Sequence, residues 1–138
     1  MPDVHRWLGD WDLYIAAAGS LTTWDGRPLD ADLHENNVWV RESPSSPWRF
    51  DLTIGSGSPQ LWAYRRDESV TRPWDHAVLH TPSGTPYLAP DLQLLFKAKS
   101  TRPKDHDDAA RVIPCLGAED REFLTKHLPP DHPWQSML

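Results

Sequence analysis

The chain has 138 residues, a quarter of them charged, with a formal net charge of −6 and one cysteine. That length suits one domain, 1–138, with a real core; the acidic balance argues against non-specific nucleic-acid binding, which needs clustered Lys and Arg on phosphates. A lone Cys115 excludes an intramolecular disulfide and a multi-cysteine zinc site, and apolar runs such as Leu94-Leu95-Phe96 are far too short to cross a bilayer.

In chain order, Asp3 to Gly9 reads as a short helix ending at Gly9. Trp11 to Ala17 alternates Trp11, Leu13 and Ile15 against Asp12 and Tyr14, as a strand does. Trp24-Asp25-Gly26-Arg27-Pro28 carries an Asp-Gly turn. Asn37 to Arg41 is a second strand, with Val38 and Val40 on one face and Trp39 on the other. Trp48 to Ile54 is a third, where Phe50, Leu52 and Ile54 lie opposite Arg49, Asp51 and Thr53. After a turn at Gly55 to Pro59, Leu61 to Arg66 returns as a fourth, and a weaker strand spans Ala77 to His80 before Pro82-Ser83-Gly84.

From Pro90 the apolar period changes to three and four. Pro90 suits the first helical position, where its missing N–H has no helical partner anyway. This helix is expected to run to Ser100, with Leu92, Leu95, Phe96 and Lys99 on one face. A second begins near Asp105, with Ala109, Val112, Ile113 and Leu116 in step, until Pro114 ends or bends it. A third covers Ala118 to Leu128 and stops at Pro129-Pro130; the tail docks through Trp134. The expected fold is α+β: a mostly antiparallel sheet over 1–85, packed against C-terminal helices over 86–138. The eight tryptophans are read as core and surface cover rather than as one aromatic pocket.

Two segments could carry chemistry. Asp51 is an acid in mid-strand between apolar residues facing the other way; it either faces solvent or, where partly buried, needs a cation, a metal or hydrogen bonds. The basic cluster Lys97, Lys99, Arg102 and Lys104 is a local exception to the acidic balance, and within it Lys99, Arg102 and Lys104 suit phosphate. Lys99 continues the apolar stripe while Lys97, two positions earlier, points away. The plainer reading of that segment is a charged helix connection in which Asp105, Asp107 and Asp108 favour the first turn of the next helix. Asp67 and Glu68 are neighbours, so on a strand they cannot face one metal together. The seven histidines make no His-Glu-x-x-His pair. Cys115, between Pro114 and Leu116, reads as a buried small hydrophobe.

The run Pro86-Tyr87-Leu88-Ala89-Pro90-Asp91-Leu92-Gln93-Leu94-Leu95-Phe96-Lys97-Ala98-Lys99, followed by Arg102-Pro103-Lys104-Asp105 and Asp108, resembles nucleotidyltransferase-like proteins related to aminoglycoside adenylyltransferases. Gly9 to Tyr14, Trp24-Asp25-Gly26, Trp62 to Asp67 and His132-Pro133-Trp134 fit the same pattern, so the resemblance covers nearly the whole chain. In that family a Gly-Gly or Gly-Ser turn and an Asp-x-Asp strand hold the metal ions and the triphosphate, and a third acid on a later strand completes the site. Asp51 matches the third acid; the first two and the turn have no counterpart here, which makes the expected fold an incomplete version of the family's.

What the resemblance implies is a truncated or degenerate nucleotidyltransferase-like protein, a pseudoenzyme on its own. With a partner chain completing the site, it would transfer a nucleoside monophosphate to a small-molecule hydroxyl. Asp51 would be metal ligand or base, Lys99, Arg102, Lys104 and Asp105 would meet substrate and phosphate, and the cofactors would be Mg²⁺ and a nucleoside triphosphate such as ATP. The alternatives are a non-catalytic small-molecule or protein-binding module, or the same pocket recruited for another biosynthetic reaction. The remaining expectations are a cytoplasmic protein, a small-molecule ligand, no nucleic acid, no membrane, and a homodimer through an exposed sheet edge.

Overall fold

The computed structural model describes residues 2–30, 32–99 and 101–138. Antiparallel sheets dominate the first part of the chain and helices the last, so the fold is α+β. No helix is long and apolar enough to cross a membrane. The chain divides into two compact units, Met1–Gly57 with Ala63–Val70, and Ser58–Trp62 with Thr71–Leu138.

In the first unit, helix α1 (Pro2–Trp7) leads into β1 (Asp12–Ala17), β2 (Ser20–Thr23), β3 (Asn37–Arg41) and β4 (Phe50–Thr53). They form an antiparallel sheet in the order β2-β1-β3-β4. The alternation seen in the sequence sets its faces. Leu13, Ile15, Val38 and Val40 are buried with Trp24, and Leu8, Trp11, Leu29 and Leu52 pack against them. Tyr14, Trp39 and Asp51 form a row across the opposite face. β2 was not expected. Its hairpin turns through Ala18 and Gly19 at φ of +49° and +77°, and an alanine in that conformation announces no turn.

The Asp-Gly turn is present and tightly bound. Gly26 has φ +91°, and a Cβ there would come within 2.9 Å of the His5 ring, so glycine is required twice over. The Asp25 carboxylate accepts from the Arg27 N–H, and the Trp24 indole donates to the Arg27 carbonyl. Arg27 then grips the buried Glu35 with two bonds of 2.7 Å.

β5 (Ser56–Gly57), β6 (Leu61–Tyr64) and β7 (Asp67–Pro73) stand in the order β5-β6-β7 in a three-stranded sheet. In the second unit, a helical turn α2 (Trp74–Ala77) precedes the hairpin of β8 (Val78–His80) and β9 (Pro86–Leu88). The hairpin closes at the expected Pro82-Ser83-Gly84 turn, with Gly84 at φ +83°. β9 and the strand character of Asp67–Pro73 went unseen, because short polar strands are held by their partners rather than by their own pattern.

Helices α3 (Pro90–Lys97), α4 (Pro103–Val112) and α5 (Ala118–His127) follow, and α3 packs on both α4 and α5. Pro90 and Pro103 each occupy a first turn, where no N–H is lost. Leu92, Leu94, Leu95, Ala109, Ile113 and Leu124 are buried in this unit. Trp134 docks as expected: it is fully buried and donates its indole N–H to His106 Nδ1 at 3.0 Å.

α4 begins at Pro103 rather than near Asp105, and Ala77 ends a helical turn rather than opening a strand; two further expectations fail at residues considered for chemistry or burial. α3 ends at Lys97, three residues before the expected Ser100, which itself lies outside the described residues, so extending the helical stripe to Lys99 was wrong. Lys97 is the half-buried lysine and Lys99 the exposed one. Cys115 is exposed rather than buried: Pro114 tightens the chain after α4 into a 3₁₀ turn that turns the thiol outward, 3.5 Å from the Arg111 carbonyl.

Candidate functional site

Asp51 lies in β4, the last strand of the four-stranded sheet, on the face away from the core and exposed to solvent. Across β3, Asn37 donates its side-chain amide to the Asp51 Oδ1 at 2.7 Å and to the Thr53 hydroxyl at 3.1 Å. Beside the carboxylate, Trp39, Trp48, Arg49 and Phe50 complete an open cleft of about 280 Å³ with Asp51 as its acid.

The cleft's aromatic wall is braced from behind. Trp39 and Trp48 meet edge to face with centroids 5.4 Å apart, and Tyr14 meets Trp48 the same way at 5.7 Å. The Arg41 guanidinium lies 4.6 Å over Trp48 and 5.3 Å from the Tyr14 centroid, and it is held there by Asp12 at 3.1 Å. A cation over aromatic faces both stabilises the cluster and fixes its geometry. The neighbouring Arg49 is paired with Glu42 at 3.0 Å.

The basic cluster belongs to the second unit and is largely neutralised within it. Asp105 is 1% exposed, and its two oxygens take bonds from the Arg102 guanidinium, the Arg102 backbone N–H and the Lys97 ammonium. Bonding to Arg102, then to the backbone and to Lys97, holds the Asp105 carboxyl far below its ordinary range. Lys97 also reaches Asp108 at 2.8 Å, and its two acids raise its pKa. Asp105 is the third residue of α4 and caps its start. Of the residues expected to meet phosphate, Arg102 and Asp105 are therefore bound to each other, while Lys99 and Lys104 are exposed.

One cluster had no signal in the sequence. Arg72, at the end of β7, forms an ion pair with the buried Asp91 in the first turn of α3. Its guanidinium lies 4.2 Å over the Phe123 ring, with Asp120 at 3.9 Å. These groups line a cavity of about 370 Å³ together with Asp75, His76 and Glu119. Asp91 reads in the sequence as an ordinary first-turn acid, and nothing marks Arg72 as its partner.

Among the described residues, no group of three or more His, Cys, Asp or Glu side chains is placed to hold a metal ion. Asp51 by itself does not fit the pair of magnesium ions that nucleotidyl transfer uses. Compared with protein-family models, with curated proteins and with solved structures, the chain matches none of them.

Proposed function

We propose that this chain is a nucleotidyltransferase-like subunit that contributes one carboxylate, Asp51, to a site completed by a strand from another polypeptide. The observation that carries this reading is the place of Asp51 on the edge strand of the sheet. A strand added beside β4 would set its own side chains about 5 Å from Asp51 on the same face. That spacing lets acids from two strands act together, which Asp51 cannot do alone. In the completed assembly Asp51 would accept the proton of an attacking small-molecule hydroxyl as its oxygen bonds to the α-phosphorus and pyrophosphate leaves.

Isothermal titration of the purified chain with Mg²⁺ and ATP tests the reading. Binding that Asp51→Asn abolishes supports it. Binding untouched by that substitution, or full binding by the monomer with no other chain present, sinks it.

The second reading is a small-molecule-binding module without transfer activity. The cleft walled by Trp39 and Trp48 favours it, since exposed indole faces bind flat or amphipathic ligands. Quenching of tryptophan fluorescence by a ligand, lost in Trp48→Ala and kept in Asp51→Asn, would separate this module from the transferase subunit.

A further inference from the structure

Among the described residues the four-stranded sheet ends on two unpaired edges, β2 and β4. They differ in chemistry. β2 is Ser20-Leu21-Thr22-Thr23, exposed throughout, with one apolar side chain. β4 runs on into Ile54, so that Phe50, Leu52 and Ile54 line the core side of the edge. Phe50 stacks on Trp11 at 5.5 Å yet stays 45% exposed.

The register shows which backbone groups β4 offers. The Ile54 N–H donates to the Asn36 carbonyl at 2.8 Å, which makes Asn36 and Ile54 a hydrogen-bonded pair. By alternation Val38 and Leu52 are the next such pair, while Trp39 opposite Asp51 and Asn37 opposite Thr53 are not bonded through the backbone. The N–H and C=O groups of Asp51 and Thr53 therefore point away from β3, along the open edge. Such a row pairs readily with another strand.

We infer that β4 pairs antiparallel with β4 of a second copy of this chain, about a two-fold axis at Leu52, and that this pairing brings two Asp51 carboxylates onto one face. Three two-fold registers are open to the strand. One centred on Asp51 sets two like charges directly opposite, which is unfavourable. It also sets Thr53 opposite the partner's Arg49, whose N–H is already given to Val40 at 2.8 Å. A register centred on Thr53 leaves Phe50 against the polar Ser56. Centring on Leu52 avoids both faults: Phe50 meets the partner's Ile54, Leu52 meets its own copy, and Asp51 meets the partner's Thr53. The edge is thus complementary to itself, as an isologous interface must be.

In this pairing the two Asp51 residues are diagonal neighbours, with Cα atoms about 7–8 Å apart. The meaning given to that carboxylate pair rests on the transferase reading, with the second copy as the polypeptide that supplies the strand. The interface itself does not depend on that reading.

Sedimentation equilibrium without nucleotide tests the pairing. A short interface of mainly backbone bonds is expected to give a dimer with Kd of about 0.1 mM. Only the Leu52-centred register sets residue 53 opposite the partner's Asp51. Thr53→Lys should then tighten the dimer about fivefold and Thr53→Asp weaken it about fivefold, and both shifts should shrink at about 0.5 M salt. Residue 53 is exposed, and melting curves check that both variants fold. A chain that stays monomeric at about 1 mM, or variants that shift the dimer in the same direction, would overturn the inference. A chain that stays monomeric and binds Mg²⁺ and ATP through Asp51 only when another polypeptide is supplied would remove the second copy and keep the transferase reading. A dimer that binds no nucleotide would do the reverse.

Discussion

The charged cluster around α3 and α4 and the Asp51 carboxylate on the sheet's outer face are placed in opposite ways. Around α3 and α4, Lys97, Arg102, Asp105 and Asp108 are bonded to one another, and Arg72 is held against Asp91. Those groups fix helix ends and helix contacts. On the outer face of the sheet, Asp51 is exposed to solvent, and the partly exposed aromatic cluster beside it is braced by Arg41. A charged residue already bonded to its structural neighbours has little left for a ligand. An exposed carboxylate on an edge strand costs the fold little and is available for binding.

Substitutions can break that contrast, and the largest effects should fall in the helical unit. Trp134→Ala removes a fully buried side chain and its bond to His106, and should cost about 3–5 kcal/mol in chemical denaturation. If it costs no more than Trp48→Ala on the exposed sheet face, the contrast is wrong. Asp91→Ala strands the Arg72 guanidinium among buried groups and should cost about 3 kcal/mol by the same measurement. Asp91→Ala with Arg72→Met should recover part of that loss, because no unpaired charge then remains.

Acid should sharpen the contrast. The Arg27 guanidinium, then the Asp30 N–H, hold the Glu35 carboxyl down at about 2, and Asp105 is lowered for like reasons. Both acids are lowered in the folded state, so their stabilisation is complete above the ordinary carboxylate pKa of about 4.5. It should be lost progressively as pH falls from there through about 2. Thermal melts across that range should fall steadily for the wild type and more shallowly for Glu35→Gln, which has given up the linkage already.

Smaller effects belong to the sheet unit. Gly26→Ala meets both a positive φ and the His5 ring, and should cost about 1–3 kcal/mol. Asp51→Asn should change stability by no more than about 0.5 kcal/mol while removing any Mg²⁺-dependent nucleotide binding. A large loss of stability would mean that the Asn37 bond to Asp51 serves the fold rather than a ligand.

Much of the framework was legible. β3 lies at the expected Asn37–Arg41, and Pro90 opens α3. The Asp25-Gly26 turn could be read because its glycine is required by the backbone. Burial of Leu13, Ile15, Val38 and Val40 followed from alternation alone. Legibility failed where a role depends on a partner distant in sequence. Lys97 and Lys99 were assigned opposite sides because the helix was run past its true end. Arg102 looked free for phosphate because the position of Asp105 between it and Lys97 is a product of packing. Arg72 and Asp91, 19 positions apart, gave no sign of each other.

Sequence by itself determined the α+β character, the faces of the sheet strands and the starts of α3 and α5, because these follow from local periodicity and proline placement. Tertiary structure alone decided which charges are neutralised, which strand lies at the sheet's edge and which way Asp51 faces along it. Ion pairing and strand order are set by contacts between distant segments, and no local pattern encodes them.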